Sequence, residues 1–451
     1  MPLRGRLEPW QEDLAGDPDR LAGWISEHGS PMNLIETGAM ARNAGKLESA
    51  AQAGGVPFRI FFARKANKAL AFVDEAKRLG LGVDVASERE LRQVLDRGVD
   101  PVDVIVTAAV KPRAMLELCV RSGVTVAIDN LDEVQLLREL PREAERETPI
   151  AMRLSPTPGA GRPPSRFGMS APEIRDALGP PANGLTLQGI HFHLDGYDLG
   201  ERVAAIAESL ELIDSLRERG HEPAFLDIGG GIPMSYLASE AEWAAFWTAQ
   251  GEAVEGGEPE ITFDGHQLGT VYPYHQTPVR GEWLERILDA ALHTGTVADA
   301  IRLRGLELRC EPGRSLLDGC GMTVARVEFR KQRLDGEWLI GLAMNRTQMR
   351  STSDDFLVDP LLLRSSEAGE PTPAIEAYLV GAYCIERELL SWRRFRFPEG
   401  VGVGDLVAFP NTAGYLMHIL ESASHQIPLA RNLVLDGESA SLDPIDVLNH
   451  A

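Results

Sequence analysis

The segment Phe61-Phe62-Ala63-Arg64-Lys65-Ala66-Asn67-Lys68 decides how the rest of this chain is read. From residue 60 to residue 63 it is an apolar run, the pattern of a short buried strand. The run delivers Lys65 to the C-terminal end of that strand, beside Ala66 and Asn67. A lysine in such a place is poorly solvated. Desolvation favours its neutral amine, and a neutral amine can form an imine with an aldehyde. Taken alone, a strand-end lysine is most often a surface residue, because lysine is rarely fully buried. What changes its meaning is the pattern on either side.

Working outward, helical spacing over 37–53 ends at Gly54-Gly55, and a second helix over 69–79 ends at Gly80. A strand over 82–87 leads into a helix over 88–97, with Ser87 as its cap and Gly98 as its close. Strand and helix go on alternating, about eight times over roughly 280 residues, which is the signature of βα units around a parallel sheet. Eight such units close a barrel, with the chemistry at the C-terminal strand ends; an open doubly wound sheet is the alternative. Two segments break the rhythm: a Gly/Pro-rich loop at 160–164, and a long stretch at 251–280 holding His266, Tyr272, Tyr274 and His275. Beyond about residue 320 strands follow one another with few helices. The expected organisation is therefore a (β/α)8 barrel over residues 35–318 and a β-rich domain made of residues 1–34 and 319–451.

Bulk properties narrow the function. At 451 residues, two domains are the default. A formal charge of −22 argues against a nucleic-acid partner, which needs a basic face. Cys119, Cys310, Cys320 and Cys384 show neither metal-ligand spacing nor the density of a disulfide scaffold, so no metal site is expected and a reducing compartment suits them. Residues 1–19 hold no apolar core of signal-peptide length and no later run reaches membrane-spanning length, so neither a signal peptide nor a membrane span is expected. A cytoplasmic enzyme is the expectation.

Other strand ends carry groups as suggestive as Lys65. The motifs are, in order, Ala-Arg-Lys-Ala-Asn at 63–67, Val-Asp-Val-Ala-Ser-Glu-Arg-Glu-Leu at 83–91, Ser-Arg-Phe-Gly at 165–168, and His-Phe-His at 191–193. Asp-Ile-Gly-Gly-Gly at 227–231, Glu-Pro-Gly-Arg at 311–314, Gly-Ala-Tyr-Cys at 381–384 and Ala-Gly-Tyr at 413–415 follow. In this order the chain resembles the fold-type III pyridoxal-phosphate decarboxylases, the group of diaminopimelate, ornithine and arginine decarboxylases. The resemblance runs from about Pro31 to Ala430. It implies a TIM-type barrel followed by a β-domain, in agreement with the pattern above.

It also implies roles. Lys65 matches the lysine that holds pyridoxal 5'-phosphate as an imine and is freed when a substrate amine displaces it. Asp84 matches its acidic neighbour, and His193 the histidine stacked on the cofactor ring. Gly229, Gly230 and Gly231 would let backbone N–H groups approach the phosphate. Gly313 lies in the motif that supplies Arg314, a fixed charge for that phosphate, and Tyr415 matches a tyrosine that also reaches it. Glu311 matches the carboxylate facing the pyridine nitrogen; by keeping that nitrogen protonated it lets the ring accept the electron pair of the breaking Cα bond. Cys384 matches the cysteine that arrives from a partner subunit and protonates Cα once CO2 has left, a step within reach of a thiol near neutrality. A homodimer is thereby implied.

The chain also departs from that group. Ile385 stands where an acid usually follows the cysteine, with Glu386 and Glu388 just beyond. Asp195-Gly196 replaces a Gly-Ser, and Arg166 replaces a lysine. Met344-Asn345 is followed by Arg346, then Arg350. Arg166, Arg346, Arg350 and Glu386 are the candidates for substrate contact, and they point to a substrate whose far end is anionic or neutral. Decarboxylation of an amino acid is the leading reading. A racemase on the same scaffold and a non-catalytic paralogue are the alternatives; Cys384 speaks for decarboxylation, and Lys65, Glu311 and Arg314 speak against loss of catalysis.

Overall fold

Helices Pro9–Ala15 and Pro18–His28 lead into strand β1, Met32–Ile35. Asp17 caps the second helix by accepting from the Arg20 N–H. The structure, a computed structural model, describes residues 2–141, 147–159, 163–179, 181, 184–254, 261–351 and 356–448. The two interruptions expected at 160–164 and 251–280 therefore lie in part, at 160–162 and 255–260, outside the described residues.

Eight parallel strands follow: β2 (Phe58–Ala63), β3 (Gly82–Val85), β4 (Val104–Val106), β5 (Thr125–Ile128), β6 (Thr148–Arg153), β7 (Leu185–His191), β8 (Phe225–Asp227) and β9 (Glu307–Cys310). Each pairs with the next. Strand β2 also pairs with β9, Phe58 opposite Leu308 and Ile60 opposite Cys310, so the sheet closes into a barrel and the open alternative is excluded. The interior is filled by unequal side chains. A Cβ on Gly82 or on Gly189 would come within 2.4 Å of the ring of Phe61 or Phe225 respectively, so those two glycines make room for the two rings.

The helices start where the sequence provides caps. Ser87 accepts from the Glu90 N–H at 3.2 Å, and Ser170 and Glu173 form a reciprocal capping box. The β8–β9 connection is longer than the periodicity indicates. It contains helices Glu240–Val254, Arg280–Leu288 and Val297–Leu303. The first and third escaped the sequence reading. The first did carry a signal, since Trp243, Phe246 and Trp247 stand at i, i+3 and i+4, and its Phe246 is fully buried.

The remaining strands are β10 (Gly321–Gln332), β11 (Trp338–Leu342), β12 (Leu361–Leu363), β13 (Ile375–Val380), β14 (Phe395–Phe397), β15 (Leu406–Pro410), β16 (Arg431–Asp436) and β17 (Ser439–Leu442). They form one mixed sheet that includes β1, which is antiparallel to β10 and parallel to β16. Its core is shared with the β8–β9 connection: Tyr236, Phe246, Tyr272 and Tyr274 pack with Val327, Leu379 and Phe409 in a single buried cluster. The stretch read as an interruption is thus a bridge between the barrel mouth and the second sheet. His266 makes the same link, stacked 3.9 Å from Trp392. Among the described residues no helix is long and apolar enough to cross a membrane.

Candidate active site

The parallel register places Ala63 opposite Asp84. The chain then turns through one 3-10 segment, Arg64–Ala66, which carries Lys65 back over the strand end. Its Nζ lies 2.5 Å from Asp84 Oδ2, and the Thr107 hydroxyl donates to the other carboxylate oxygen. Asp84 is fully buried, whereas a third of the Lys65 side chain, 32%, faces open space. Burial alone would favour the neutral amine, the state expected from sequence. Asp84, and after it Glu311, outweigh that effect and hold the ammonium above its ordinary range. The expectation of a neutral resting amine is corrected accordingly: the sequence showed the buried strand but not the counter-ion. On Asp84 the forces run in opposition. Burial and Glu311 push its carboxyl up and Lys65 pulls it down, and the 2.5 Å contact is that of an ion pair.

The other candidates converge on the same mouth. His193 follows β7, and its Nδ1 accepts from the Gly230 N–H at 3.2 Å. Burial, then Lys65, lowers its pKa well below the usual imidazole range, so the ring is neutral and free to accept. Gly229 and Gly231 have φ of +66° and +74°, open to glycine at little cost. A Cβ on Gly230 would sit 2.9 Å from the Glu311 carbonyl oxygen, and one on Gly313 would sit 2.7 Å from the Tyr415 hydroxyl. A larger side chain at either position would collide with the protein itself, so glycine is what lets these segments pack so closely.

Glu311 is buried, with its pKa raised by desolvation against the pull of Lys65 and Arg153. Arg314 donates to the Tyr236 hydroxyl at 2.9 Å and lies under the rings of Tyr272 and Tyr415, 4.3 and 5.3 Å from their centroids. Tyr415, at φ +70°, donates its backbone N–H to the Ala66 carbonyl at 2.7 Å.

The substrate candidates are more dispersed. Arg166 is exposed and stacks on Phe167 at 3.9 Å, on the rim of a cavity of about 610 Å³ that also reaches His193 and Asp195. Arg346 and Arg350 sit in the second domain. The Arg346 backbone N–H donates to Glu388 Oε1 at 2.7 Å and its Nε lies 3.4 Å from Oε2, while Arg350 donates to the Leu389 carbonyl at 2.8 Å. Glu386 and Cys384 are exposed, and the ring of the neighbouring Tyr383 stacks on His425, with centroids 5.0 Å apart.

Several residues of the site were not singled out from sequence. Thr107, Arg153, Asn67, Tyr236, His191 and Asp227 all reach it or support it. For two of them a signal existed. His191 stands two residues before His193 on a strand and so shares its face, and Asp227 opens the motif that contains the three glycines.

Comparison with known proteins agrees with this fold. The sequence profile of the family described as pyridoxal-dependent decarboxylase, pyridoxal binding domain, matches residues 41–261. An uncharacterized protein of Sinorhizobium fredii, y4yA, is 32% identical over 423 residues, covering 92% of this chain and 90% of that one. The diaminopimelate decarboxylase of Vibrio cholerae is 25% identical over 453 residues, with 96% and 94% covered. In the solved structures, the same fold is seen in the Helicobacter pylori diaminopimelate decarboxylase complexed with L-lysine. Its TM-score is 0.69 at 18% identity, with 94% of this chain and 95% of that chain covered. It is also seen in the lysine/ornithine decarboxylase complexed with putrescine from Vibrio vulnificus, with TM-score 0.68, 18% identity, and 96% and 100% covered.

Proposed function

Given that the chain belongs to the fold-type III pyridoxal-phosphate-dependent decarboxylase family, as a divergent branch of it, we propose that it removes the α-carboxylate of an amino acid to give an amine and CO2. One observation carries this reading: a lysine ammonium, a buried carboxylate, three glycines and an arginine gathered on one barrel mouth. These residues fit the cofactor. Lys65 offers the amine, and Gly229, Gly230 and Gly231 form a backbone turn free of side chains beside His193. Arg314 and Tyr415 border it, and the Glu311 carboxylate has an oxygen, Oε1, without a hydrogen-bond partner. Bound there, pyridoxal 5'-phosphate supplies a ring that takes up the electron pair left at Cα.

The remaining work is done by the chain. Asp84 holds the Lys65 proton close to where the substrate amine arrives. His193, neutral and half-buried, would support one face of the ring. Glu311 carries negative charge to its far edge. Tyr415 and Arg314 exclude water from the phosphate end and bring it a donor and a charge. Cys384 is exposed in the single chain and Ile385 beside it is 48% exposed, an arrangement that suits a second subunit closing over both. We therefore assign protonation of Cα to the Cys384 thiol of the partner copy in a homodimer. Residues 35–318 are taken as the cofactor-binding barrel, and 1–34 with 319–451 as the β-rich domain that presents the cysteine. A reducing compartment, the cytoplasm, suits the four free cysteines.

For the substrate, Arg346 already engages Glu388, so that carboxylate has less to offer a distal ammonium. This supports an anionic or neutral far end. The test is a decarboxylation screen across basic, acidic and conjugated amino acids, read by mass spectrometry as amine formed and CO2 released. Inversion of the α-centre without CO2 would overturn the proposal in favour of racemisation.

A further inference from the structure

Of the seven tyrosines in this chain, Tyr197, Tyr236, Tyr272, Tyr274 and Tyr415 gather in one place around Arg314. Tyr236 lies on the loop that continues from the glycine turn, and Tyr272 on the stretch at 251–280 that breaks the strand–helix rhythm. Hydrogen bonds join the two segments. The Tyr236 N–H donates to the Tyr274 carbonyl at 2.9 Å, and the Gln276 N–H to Ser235 Oγ at 2.7 Å. Gln276 Nε2 donates to the Met234 carbonyl at 2.9 Å and to the Tyr272 hydroxyl at 3.2 Å. That hydroxyl donates in turn to the Met234 carbonyl at 3.2 Å. Tyr272 is thus fixed at its polar end, and its ring meets Tyr236 edge to face with centroids 5.6 Å apart.

Arg314 is gripped along one side. Its Nη1 donates to the Tyr236 hydroxyl at 2.9 Å and to the Gly414 carbonyl at 3.3 Å. Its guanidinium carbon lies 4.3 Å from the centre of the Tyr272 ring, within cation–π range. Among the described residues, Nε and Nη2 have no hydrogen-bond partner, yet neither is sealed inside the fold. These two N–H groups form the edge with which arginine binds phosphate in a bidentate manner. The groups that hold Arg314 are neutral. Among the described residues no carboxylate pairs with it, unlike Arg280, which pairs with Asp318. Burial pushes the Tyr236 and Tyr272 phenols up, so both keep their protons. An arginine fixed by neutral partners retains its full charge and one open edge for an incoming anion.

We propose that Tyr236 and Tyr272 are positioning residues for phosphate recognition: they lock Arg314 so that its Nε–Nη2 edge is presented to the cofactor phosphate. Tyr236 holds the opposite nitrogen, and Tyr272 holds the plane of the guanidinium. A fork fixed beforehand loses less rotamer freedom when the anion binds, which raises affinity for the phosphate without altering affinity for the ring that carries it. The stretch at 251–280 serves the site in this way from behind the arginine.

This inference rests on the cofactor assignment above. The test is equilibrium binding of pyridoxal 5'-phosphate and of pyridoxal, which lacks the phosphate, to the cofactor-free protein. The unmutated protein is expected to prefer the phosphorylated ligand by about a hundredfold or more. Tyr236→Phe and Tyr272→Leu are each expected to weaken pyridoxal 5'-phosphate about tenfold and to leave pyridoxal nearly unchanged. Tyr272→Phe, which keeps the ring face, is expected to recover most of the affinity. The same variant with a fluorinated ring, which keeps the shape but drains the face of charge, is expected to lose it again, and it decides the matter if Tyr272→Leu does not fold. In an Arg314→Met background, Tyr272→Leu is expected to have no further effect on the preference. Equal weakening of both ligands, or an unchanged preference in folded Tyr236→Phe, would overturn the positioning role alone. An unmutated protein that binds both ligands equally, or neither, would overturn the assignment on which it rests.

Discussion

Tyr415 donates its backbone N–H to the carbonyl of Ala66, the residue after Lys65, at 2.7 Å. This single bond ties the loop of the candidate nucleophile to a segment more than three hundred residues later, and Asn67 reinforces it. Asn67 Nδ2 donates to the Ala413 carbonyl at 2.9 Å, and its Oδ1 accepts from the Ala69 N–H at 3.0 Å. The second domain thereby holds one wall of the site in place. Asn67→Ala leaves buried partners unsatisfied and is expected to destabilise the protein by about 1–3 kcal/mol. Urea denaturation reports the loss, and a cofactor titration is expected to show weaker binding because Tyr415 is no longer anchored.

Lys65→Ala removes the amine on which the assignment depends. The variant is expected to lose both the cofactor absorbance band and turnover while remaining folded, since the lysine side chain is partly open and fills no core position. Absorbance titration with pyridoxal 5'-phosphate, together with the mass-spectrometric assay, checks this. Turnover that survived in this variant would contradict the proposed function.

Asp84→Asn tests the ion pair. The Lys65 pKa is raised in the folded state, so its contribution to stability is complete below the unfolded lysine value, about 10.4, and disappears as pH rises through the higher folded value. Denaturation midpoints of the cofactor-free protein are expected to decline across that alkaline window, and to decline less in Asp84→Asn. At neutral pH the substitution strands a partly exposed ammonium, at a cost of about 1–3 kcal/mol. An unchanged alkaline profile would count against the pair.

Gly229→Ala probes the glycine turn. A Cβ there would lie 2.5 Å from the Phe192 carbonyl oxygen, at a φ of +66° that alanine disfavours. The expected result is a loss of about 1–3 kcal/mol and a cofactor affinity reduced more than stability alone explains. Thermal unfolding with and without cofactor separates the two effects.

Cys384→Ala is expected to leave cofactor binding intact and slow product formation about a hundredfold or more, the scale of a lost general acid. Mixing Cys384→Ala subunits with Lys65→Ala subunits is expected to restore part of the activity, since one hybrid site then has both groups. If mixing restores nothing while hybrids form, the cysteine does not act across subunits.

Much of this protein is legible in its sequence. The alternation of apolar runs with glycine-ended helices is a local property. It marks eight βα units and the change of character near residue 320 without reference to contacts. The site motifs are local as well, because a barrel presents consecutive strand ends to one mouth: Lys65, His193, the three glycines and Glu311 each sit a few residues beyond a strand, and Asp84 lies at the end of one. The helix Glu240–Val254 escaped although Trp243, Phe246 and Trp247 stand at helical spacing, because it lies inside one long strand connection rather than in the repeating βα rhythm; that its Phe246 packs in the core of the second sheet is a tertiary matter. Barrel closure was likewise undecided until β2 met β9, a pairing between residues some 250 positions apart that no local pattern encodes.

The same distinction holds for charge. Residue types along the chain show that Lys65 follows a buried strand, and from that alone a neutral amine follows. Only the register that sets Ala63 against Asp84, and the turn that folds Lys65 back, bring a carboxylate within 2.5 Å and reverse the sign of the shift. His191 and Asp227 are unremarked letters in their motifs until adjacent strands place them side by side beneath Glu311. Strand identity depends on short-range hydrophobic pattern, whereas the protonation of a buried group depends on distances of a few ångströms between residues far apart in the chain, and those distances exist only in the folded protein.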